Sequence, residues 1–363
     1  MKFMALGGTN CVGSSCYYLE LGGCRFLLDC GQSVQKRITY SPNYGPLFIK
    51  ECLYSLSELD AILLSHGHFD HIGALPYFTK ACPDTPIYGT TLTKELGNWL
   101  LWDQYPRSQN GFERFQKNLR TEEAIQRIRT VSYRRPVVIH GVRITFYEAG
   151  HVPGAAMIYM ESSEGNVLYT GDFLKHETML TKGYYLPQNL HPDVVILCGT
   201  HAKHPYYLPK NNLSDLPKKI QKDLGMGCSA HLSAQQLTKG VEVVCFLKQK
   251  LPDIPLYLSD PIWSLAEQLE NVGIPIIGES CYRMSNKTGK DGVYIDHQGQ
   301  QINVNFSLHA TFGECVELLN RLRPSTVFVV HAPDDHYGQE NYALQKKFPN
   351  KTILYPIQGE LYA

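Results

Sequence analysis

The sequence predicts an α/β protein: a layered, strand-rich body interrupted late in the chain by a smaller parallel α/β unit. Three observations lead there. Through the first 200 of 363 residues, short apolar runs alternate with glycine turns, as in Cys16-Tyr17-Tyr18-Leu19-Glu20-Leu21 before Gly22-Gly23, which is the pattern of strands joined in hairpins. After about residue 200 strand and helix signals alternate, the rhythm of a small parallel sheet. Finally, histidines and aspartates recur at the ends of the apolar runs, where side chains distant in sequence can share one rim of a layered fold.

Composition narrows the class. Charged residues make up 19% of the chain and hydrophobic ones 43%, as in a globular protein. The 34 basic residues equal the 34 acidic ones, so no global positive field recruits nucleic acid, and a polyanion would need a local groove or bound cations. The opening Met1-Lys2-Phe3-Met4-Ala5-Leu6-Gly7-Gly8 lacks the form of a signal peptide. No apolar run approaches the roughly 20 residues of a membrane span. The 11 cysteines form no C-x-x-C pair, which suits buried thiols in a reducing cytoplasm.

The elements follow in order. Residues 1–31 read as strands in hairpins, the last being Arg25-Phe26-Leu27-Leu28, and Asp29 follows it as a turn or cap residue. Residues 32–58 read as a surface loop with short elements, carrying Lys36 and Arg37. The run Ala61-Ile62-Leu63-Leu64-Ser65 is a strand that delivers His66-Gly67-His68-Phe69-Asp70-His71. A short helix is expected over 72–80, a strand over 86–89, and helical text from Thr91 to about Arg129 with a break at 105–111.

Strands resume at 136–139 and 142–147, the second running into Gly150-His151. A hairpin over 157–160 and 167–170 ends at Gly171-Asp172, and 193–198 is a buried strand ending at Cys198. A helix is expected to start at Ser233, with Gln236 three residues on as a capping box, and to reach about Lys250. Strands at 255–258 and 274–277 flank a helix over 262–272. The stretch Gly227 to Ser233 is read as the start of the insert's first helix, either a plain cap or a place for a phosphate. Val304 to Ser307 leads into His309, Thr311 and Glu314 form a further capping box, and strand 326–330 delivers His331.

The stretch His66 to His71 packs three imidazoles and a carboxylate into six residues. Neutral imidazole nitrogen and carboxylate oxygen are the donors that bind zinc and related ions, and clustering them without a cation is costly. His66, His151, Asp172, His309 and His331 each stand at or just beyond an expected strand end.

These motifs, in this order, resemble the metallo-β-lactamase fold, an αββα sandwich. Leu27 to Gly31, Ala149-Gly150-His151-Val152-Pro153-Gly154-Ala155-Ala156, Tyr169-Thr170-Gly171-Asp172-Phe173 and Phe306-Ser307-Leu308-His309-Ala310 are similar to its β-CASP branch, the nucleases of mRNA end-processing and bacterial RNA maturation. The resemblance implies a metallo-β-lactamase domain over residues 1–200 and 296–363 with a β-CASP-like insert over 201–295. It implies two divalent metal ions, zinc or manganese: His66, His68 and His151 on one, Asp70, His71 and His331 on the other, and Asp172 bridging. A hydroxide generated at the ions would attack a phosphodiester of RNA or single-stranded DNA.

Asp70, His309 and Asp29 are the residues this assigns to the chemistry, His309 to protonate the leaving oxygen or hold the phosphate and Asp29 to orient ligands from behind. No membrane partner is implied, and a homodimer or a subunit of a complex is compatible. Two departures stand out. Cys198-Gly199-Thr200-His201 occupies the place of an acidic residue followed by Ser-Thr-Tyr, so His309 loses its usual carboxylate unless His201 or His204 compensates. The insert also lacks a longer glycine- and methionine-containing segment. A small-molecule hydrolase of the same fold and a non-catalytic scaffold subunit are the competing functions.

Overall fold

The computed structural model describes residues 1–35, 38–104, 120–203, 205, 210–234, 236–284, 291–297, 302–333 and 342–363. Lys36, Arg37, the break at 105–111, His204 and most of the loop expected over 283–292 fall outside them. The chain forms two compact units: residues 1–176, 183–207 and 309–363 make the first, and residues 177–182 and 208–308 the second.

The first unit opens with antiparallel strands β1 (Lys2–Gly7), β2 (Cys16–Leu21) and β3 (Cys24–Leu28). A separate hairpin of β4 (Ser33–Gln35) and β5 (Ile38–Tyr40) and a short helix α1 (Gly45–Ile49) follow. Strands β6 (Ala61–Leu63), β7 (Ile87–Thr90) and β8 (Ile128–Val131) then add in parallel to β3. Between them lie α2 (Phe69–Ile72), α3 (Leu75–Ala81), α4 (Thr91–Gln104) and a helix over 120–126, α5. A second sheet follows from β9 (Val137–Ile139), β10 (Val142–Glu148), β11 (Ala156–Ser162), β12 (Gly165–Tyr169) and β13 (Val194–Cys198).

The second unit holds α6 (Leu216–Gly225), β14 (Ala230–Ser233), α7 (Leu237–Lys250), β15 (Leu256–Leu258), α8 (Asp260–Asn271), β16 (Cys281–Arg283), β17 (Val293–Asp296) and β18 (Ile302–Asn303). Its sheet runs β16-β15-β17-β14-β18, and every pair is parallel. The chain returns to the first unit through α9 (Phe312–Leu322), β19 (Thr326–Val330), α10 (Ala343–Lys347), β20 (Thr352–Leu354) and β21 (Leu361–Tyr362).

The two large sheets of the first unit run β21-β1-β2-β3-β6-β7-β8 and β20-β19-β13-β12-β11-β10-β9 among the described residues. Strand alternation decides how they pack. On β1, Phe3 and Ala5 enter a core shared with Ile144, Phe146, Ile158 and Phe328 of the other sheet, and the Phe3 and Phe328 rings stack at 4.3 Å. Met4 and Leu6 point the other way, into a core with Ile72, Leu75, Leu101 and Ile125 of the helices. On β13 and β19 both faces are buried, Ile196 and Phe328 inward and Val195 and Val327 outward, as parallel strands covered on both sides require. This is the αββα sandwich. Among the described residues no helix is long and apolar enough to cross a membrane.

Several elements differ from expectation. The helix over 72–80 is two, α2 and α3: the Ala74 amide leaves the helical ladder to donate to the Cys30 carbonyl at 2.8 Å, and Pro76 opens α3. The helical text to Arg129 stops earlier: Ile128 and Val131 are buried on β8 while Arg129 and Thr130 face out, and pairing with β7 overrides the helical spacing. Ser233 starts no helix and Gly227 to Ser233 is no helix entry. Ala230–Ser233 is a strand paired on both sides, and α7 begins at Leu237 with no side-chain cap.

Residues 274–277 form no strand, since the amides of Ile276 and Ile277 donate to the Glu270 carboxylate at 3.2 and 2.6 Å and are lost to a ladder; the strand is β16. Helix α6 is an element the sequence reading missed. Residues 304–308 are not a strand either, so His309 is placed by other means.

Candidate metal centre

Strands β3 and β6 run parallel, so their carboxyl ends deliver Asp29 and the His66–His71 stretch to one rim. Strands β12, β13 and β19 are mutually parallel, and β10 points the same way because each is antiparallel to a neighbour between them. Their ends carry His151, Asp172, Cys198 and His331. His309 reaches the same place through α9. The amide of Ala310 donates to the Phe173 carbonyl at 2.8 Å, and Thr311 and Glu314 close the expected capping box.

Tight backbone approaches hold the rim together. Asp29 and His331 adopt left-handed φ of 60° and 53°, a region in which Asp and His are enriched among non-glycine residues. Gly31 packs so closely under α2 that a Cβ there would lie 1.7 Å from the Asp70 carbonyl oxygen.

Asp29 is fully buried and is a hub. Its carboxylate accepts from the Ser65 amide and hydroxyl, both at 2.7 Å, and from the Tyr169 hydroxyl at 2.5 Å, and it lies 2.7 Å from His71 Nδ1. The Tyr169 contact crosses from one sheet to the other. With Nδ1 so engaged, His71 turns Nε2 into the site, where it is buried 3.5 Å from Asp172 Oδ2 and makes no hydrogen bond among the described residues.

Two donor sets face that point. His66 Nε2 and His151 Nε2 lie 3.0 and 3.2 Å from His68 Nδ1, and the three nitrogens form one compact group. The second group is Asp70, His71, Asp172 and His331. Here His331 Nε2 is 3.2 Å from Asp70 Oδ2, and His71 Nε2 is 3.8 Å from Asp70 Oδ2 and 3.5 Å from Asp172 Oδ2. Asp172 Oδ2 is also 4.0 Å from His66 Nε2 and 3.7 Å from His151 Nε2, so one carboxylate oxygen faces both sets. Nitrogen ligands about 2.0–2.1 Å from a tetrahedral zinc stand about 3.3–3.4 Å apart. Those spacings, and an orphaned imidazole nitrogen aimed between two carboxylates, fit divalent ions.

Electrostatics divide the histidines. Burial and the neighbouring imidazoles push His66 well down and His68 to about 3. At His71 and His331 burial also opposes the charge, but Asp172 and further anionic neighbours outweigh it and raise both. The Asp172 carboxyl, despite burial, is held well below its ordinary range by His331, His309 and His71. Without cations the centre is therefore part neutral and part ion-paired. Neutral His66 and His68 are already in the ligand form.

His309 Nδ1 lies 3.4 Å from Asp172 Oδ2 and 3.4 Å from the Thr200 hydroxyl, and burial lowers its affinity for a proton. Thr200 thus stands beside it together with the Asp172 carboxylate, and the His201 ring is edge-on at 6.3 Å. Cys198 turns elsewhere: its thiol donates to Asp172 Oδ1 at 2.9 Å. Every imidazole and carboxylate of the cluster stands in the motifs quoted from the sequence, whereas the parts of Ser65, Tyr169 and Thr200 are set by tertiary packing, which those motifs do not reveal.

Residues 9–200 match the family model described as the metallo-beta-lactamase superfamily. The chain belongs to the metallo-beta-lactamase superfamily. It is 28% identical over 275 residues to the transcription termination factor FttA of Methanothermobacter thermautotrophicus, covering 72% of this chain and 42% of that protein. It is 31% identical over 287 residues to the endoribonuclease YSH1 of Candida albicans, covering 75% and 31%. The chain thus spans less than half the length of these curated relatives. A crystal structure of a protein of unknown function from Enterococcus faecalis V583 shares the metallo-beta-lactamase chain's fold, with a TM-score of 0.66 at 13% identity, covering 99% of both chains.

Proposed function

We propose that this chain is a dinuclear metal-dependent nuclease of the β-CASP branch, hydrolysing phosphodiester bonds of RNA or single-stranded DNA, with the second unit as its β-CASP-like insert. The observation that carries this is Asp172, whose Oδ2 faces His66 and His151 on one side and His71 on the other. His66, His68 and His151 would hold one ion, and Asp70, His71 and His331 the other, with Asp172 between them. Zinc suits the nitrogen-rich first set, and manganese is compatible with the second. The relatives' description as endoribonucleases supports a nucleic acid as substrate.

Bound divalent ions would supply a nucleophilic water at neutral pH and neutralise the phosphate. The chain's residues do the rest. Asp29 fixes the ring orientation of His71 from behind, while Asp70 and Asp172 offset the charge of the centre. His309, next to Asp172 but part of neither set, gives its proton to the leaving oxygen, and the anionic phosphate offsets the burial that otherwise keeps it neutral.

The test is metal analysis of purified protein beside cleavage assays on labelled RNA, single-stranded DNA and bis-p-nitrophenyl phosphate. Close to two ions per chain, loss of at least one in Asp172→Ala, and cleavage of a nucleic acid are expected. A metal-free chain overturns the proposal, and turnover of the small ester alone would make it a small-molecule hydrolase.

A further inference from the structure

Cys198 belongs to neither ligand set above, yet its sulfur lies inside the centre. It is 2.9 Å from Asp172 Oδ1 and 3.6 Å from His331 Nδ1. His331 Nδ1 is 3.4 Å from Asp172 Oδ1, and His309 Nδ1 is 3.4 Å from Asp172 Oδ2. The donor atoms of Asp172, Cys198, His309 and His331 form one compact group of their own. A tetrahedral zinc with bonds of about 2.3 Å to sulfur and about 2.0–2.1 Å to nitrogen or oxygen places sulfur about 3.6 Å from nitrogen, and nitrogen about 3.4 Å from oxygen. The edge from sulfur to Oδ1 is contracted, and the thiol proton now bridges it.

We propose that Cys198, Asp172, His309 and His331 form a third, sulfur-containing ion position that takes a soft divalent ion such as zinc or cadmium and competes with the second ion of the catalytic pair. The inference rests on the proposed dinuclear centre. As the sulfur–metal bond forms, the S–H bond breaks and its proton passes to solvent. Thiolate and carboxylate then balance the two positive charges, and His309 and His331 bind as neutral imidazoles. Thiolate selects soft ions over manganese or magnesium.

Competition follows from His331. Its Nε2 faces Asp70, its Nδ1 faces the Thr200 hydroxyl at 3.0 Å and the Cys198 sulfur at 3.6 Å, and a neutral imidazole has one lone pair to give. An ion at the sulfur position also ties up His309. Excess soft metal should therefore inhibit, through a sulfur at Cys198 where the family it resembles has an acid.

The test is titration of the chelator-stripped full chain with cadmium, read by thiolate-to-cadmium absorbance in the near ultraviolet and by cadmium NMR. Wild-type protein should show a band that Cys198→Ser loses by about one thiolate and that Cys228→Ser, at an exposed control cysteine, leaves in place. Cadmium NMR of the wild type should show a resonance shifted as for single-sulfur ligation, and this readout does not depend on any variant folding. Two bound ions with no sulfur-shifted resonance, or equal bands in wild type and Cys198→Ser, would overturn the inference and leave the dinuclear centre standing. A chain that binds no cadmium at the histidines overturns both.

Discussion

His71 Nδ1 lies 2.7 Å from Asp29 Oδ2, and this contact turns the opposite ring nitrogen toward Asp172. Asp29→Asn keeps the shape and tolerates the left-handed backbone, but removes the charge that orients His71. Loss of such an orienting partner typically costs 10–100-fold in metal affinity. Calorimetric titration should show that loss at one ion only, with the ion at His66, His68 and His151 retained; unchanged affinity at both would refute the role given to Asp29.

His309→Ala should slow nucleic-acid cleavage by about 10²–10⁴-fold, the usual scale of a positioned proton donor, while metal content stays at the wild-type level. If metal is lost as well, His309 is a ligand in the resting centre and its role is misassigned.

Acid should destabilise the chelator-treated protein. His68 titrates near 3 when folded against an ordinary 6.5, so the unfolded chain gains a proton there as pH falls below about 6.5 while the folded chain does not. Stability is lost across that window at ~1.4 kcal/mol per pH unit for each such proton. His66 and His309, also depressed, add to the slope. His71 and His331, raised in the folded chain, act in another window: their stabilisation is fully present below about 6.5 and is lost as pH rises through their folded values, so they leave the acid slope unchanged. Asp172, held low, adds a further loss in acid. Urea unfolding at stepped pH should show the decline, and His68→Asn should flatten it by one proton's worth; an identical slope in the variant would contradict the assignment.

Gly31→Ala drives a Cβ into the Asp70 carbonyl, so α2 must shift. A stability loss of ~1–3 kcal/mol is expected, with a drop in metal content because Asp70 and His71 ride on that helix. Thermal unfolding and metal analysis together check this, and a stable variant with full metal would show that the helix tolerates the shift.

The strands of the layered body were legible because apolar runs between glycine turns mark them, as at Cys16 to Leu21 before Gly22 and Gly23, while the sandwich itself came from the resemblance of the motifs. The imidazoles and carboxylates were legible because so many donors in one short stretch have few other uses. What escaped depends on distance in sequence. Tyr169 meets Asp29 across 140 positions, and no local pattern announces it. Ile128 was read as helix because it continues the spacing of Ala124 and Ile125, and only pairing with β7 reveals a strand. Ile276 and Ile277 looked like a strand until Glu270 captured their amides. Cys198 was read through what it lacked, a carboxylate for His309, and its actual partner, Asp172, emerged only in three dimensions.

The donors gathered at this rim come from positions as far apart as Asp29 and His331. During synthesis His66, His68 and His151 emerge well before His331, so a growing chain completes its three-imidazole set while Asp172 and His331 of the second set are still to come. On the proposed mechanism, hydrolytic competence is scheduled by translation itself. A copy cut short before β19 lacks His331 and leaves the second set incomplete.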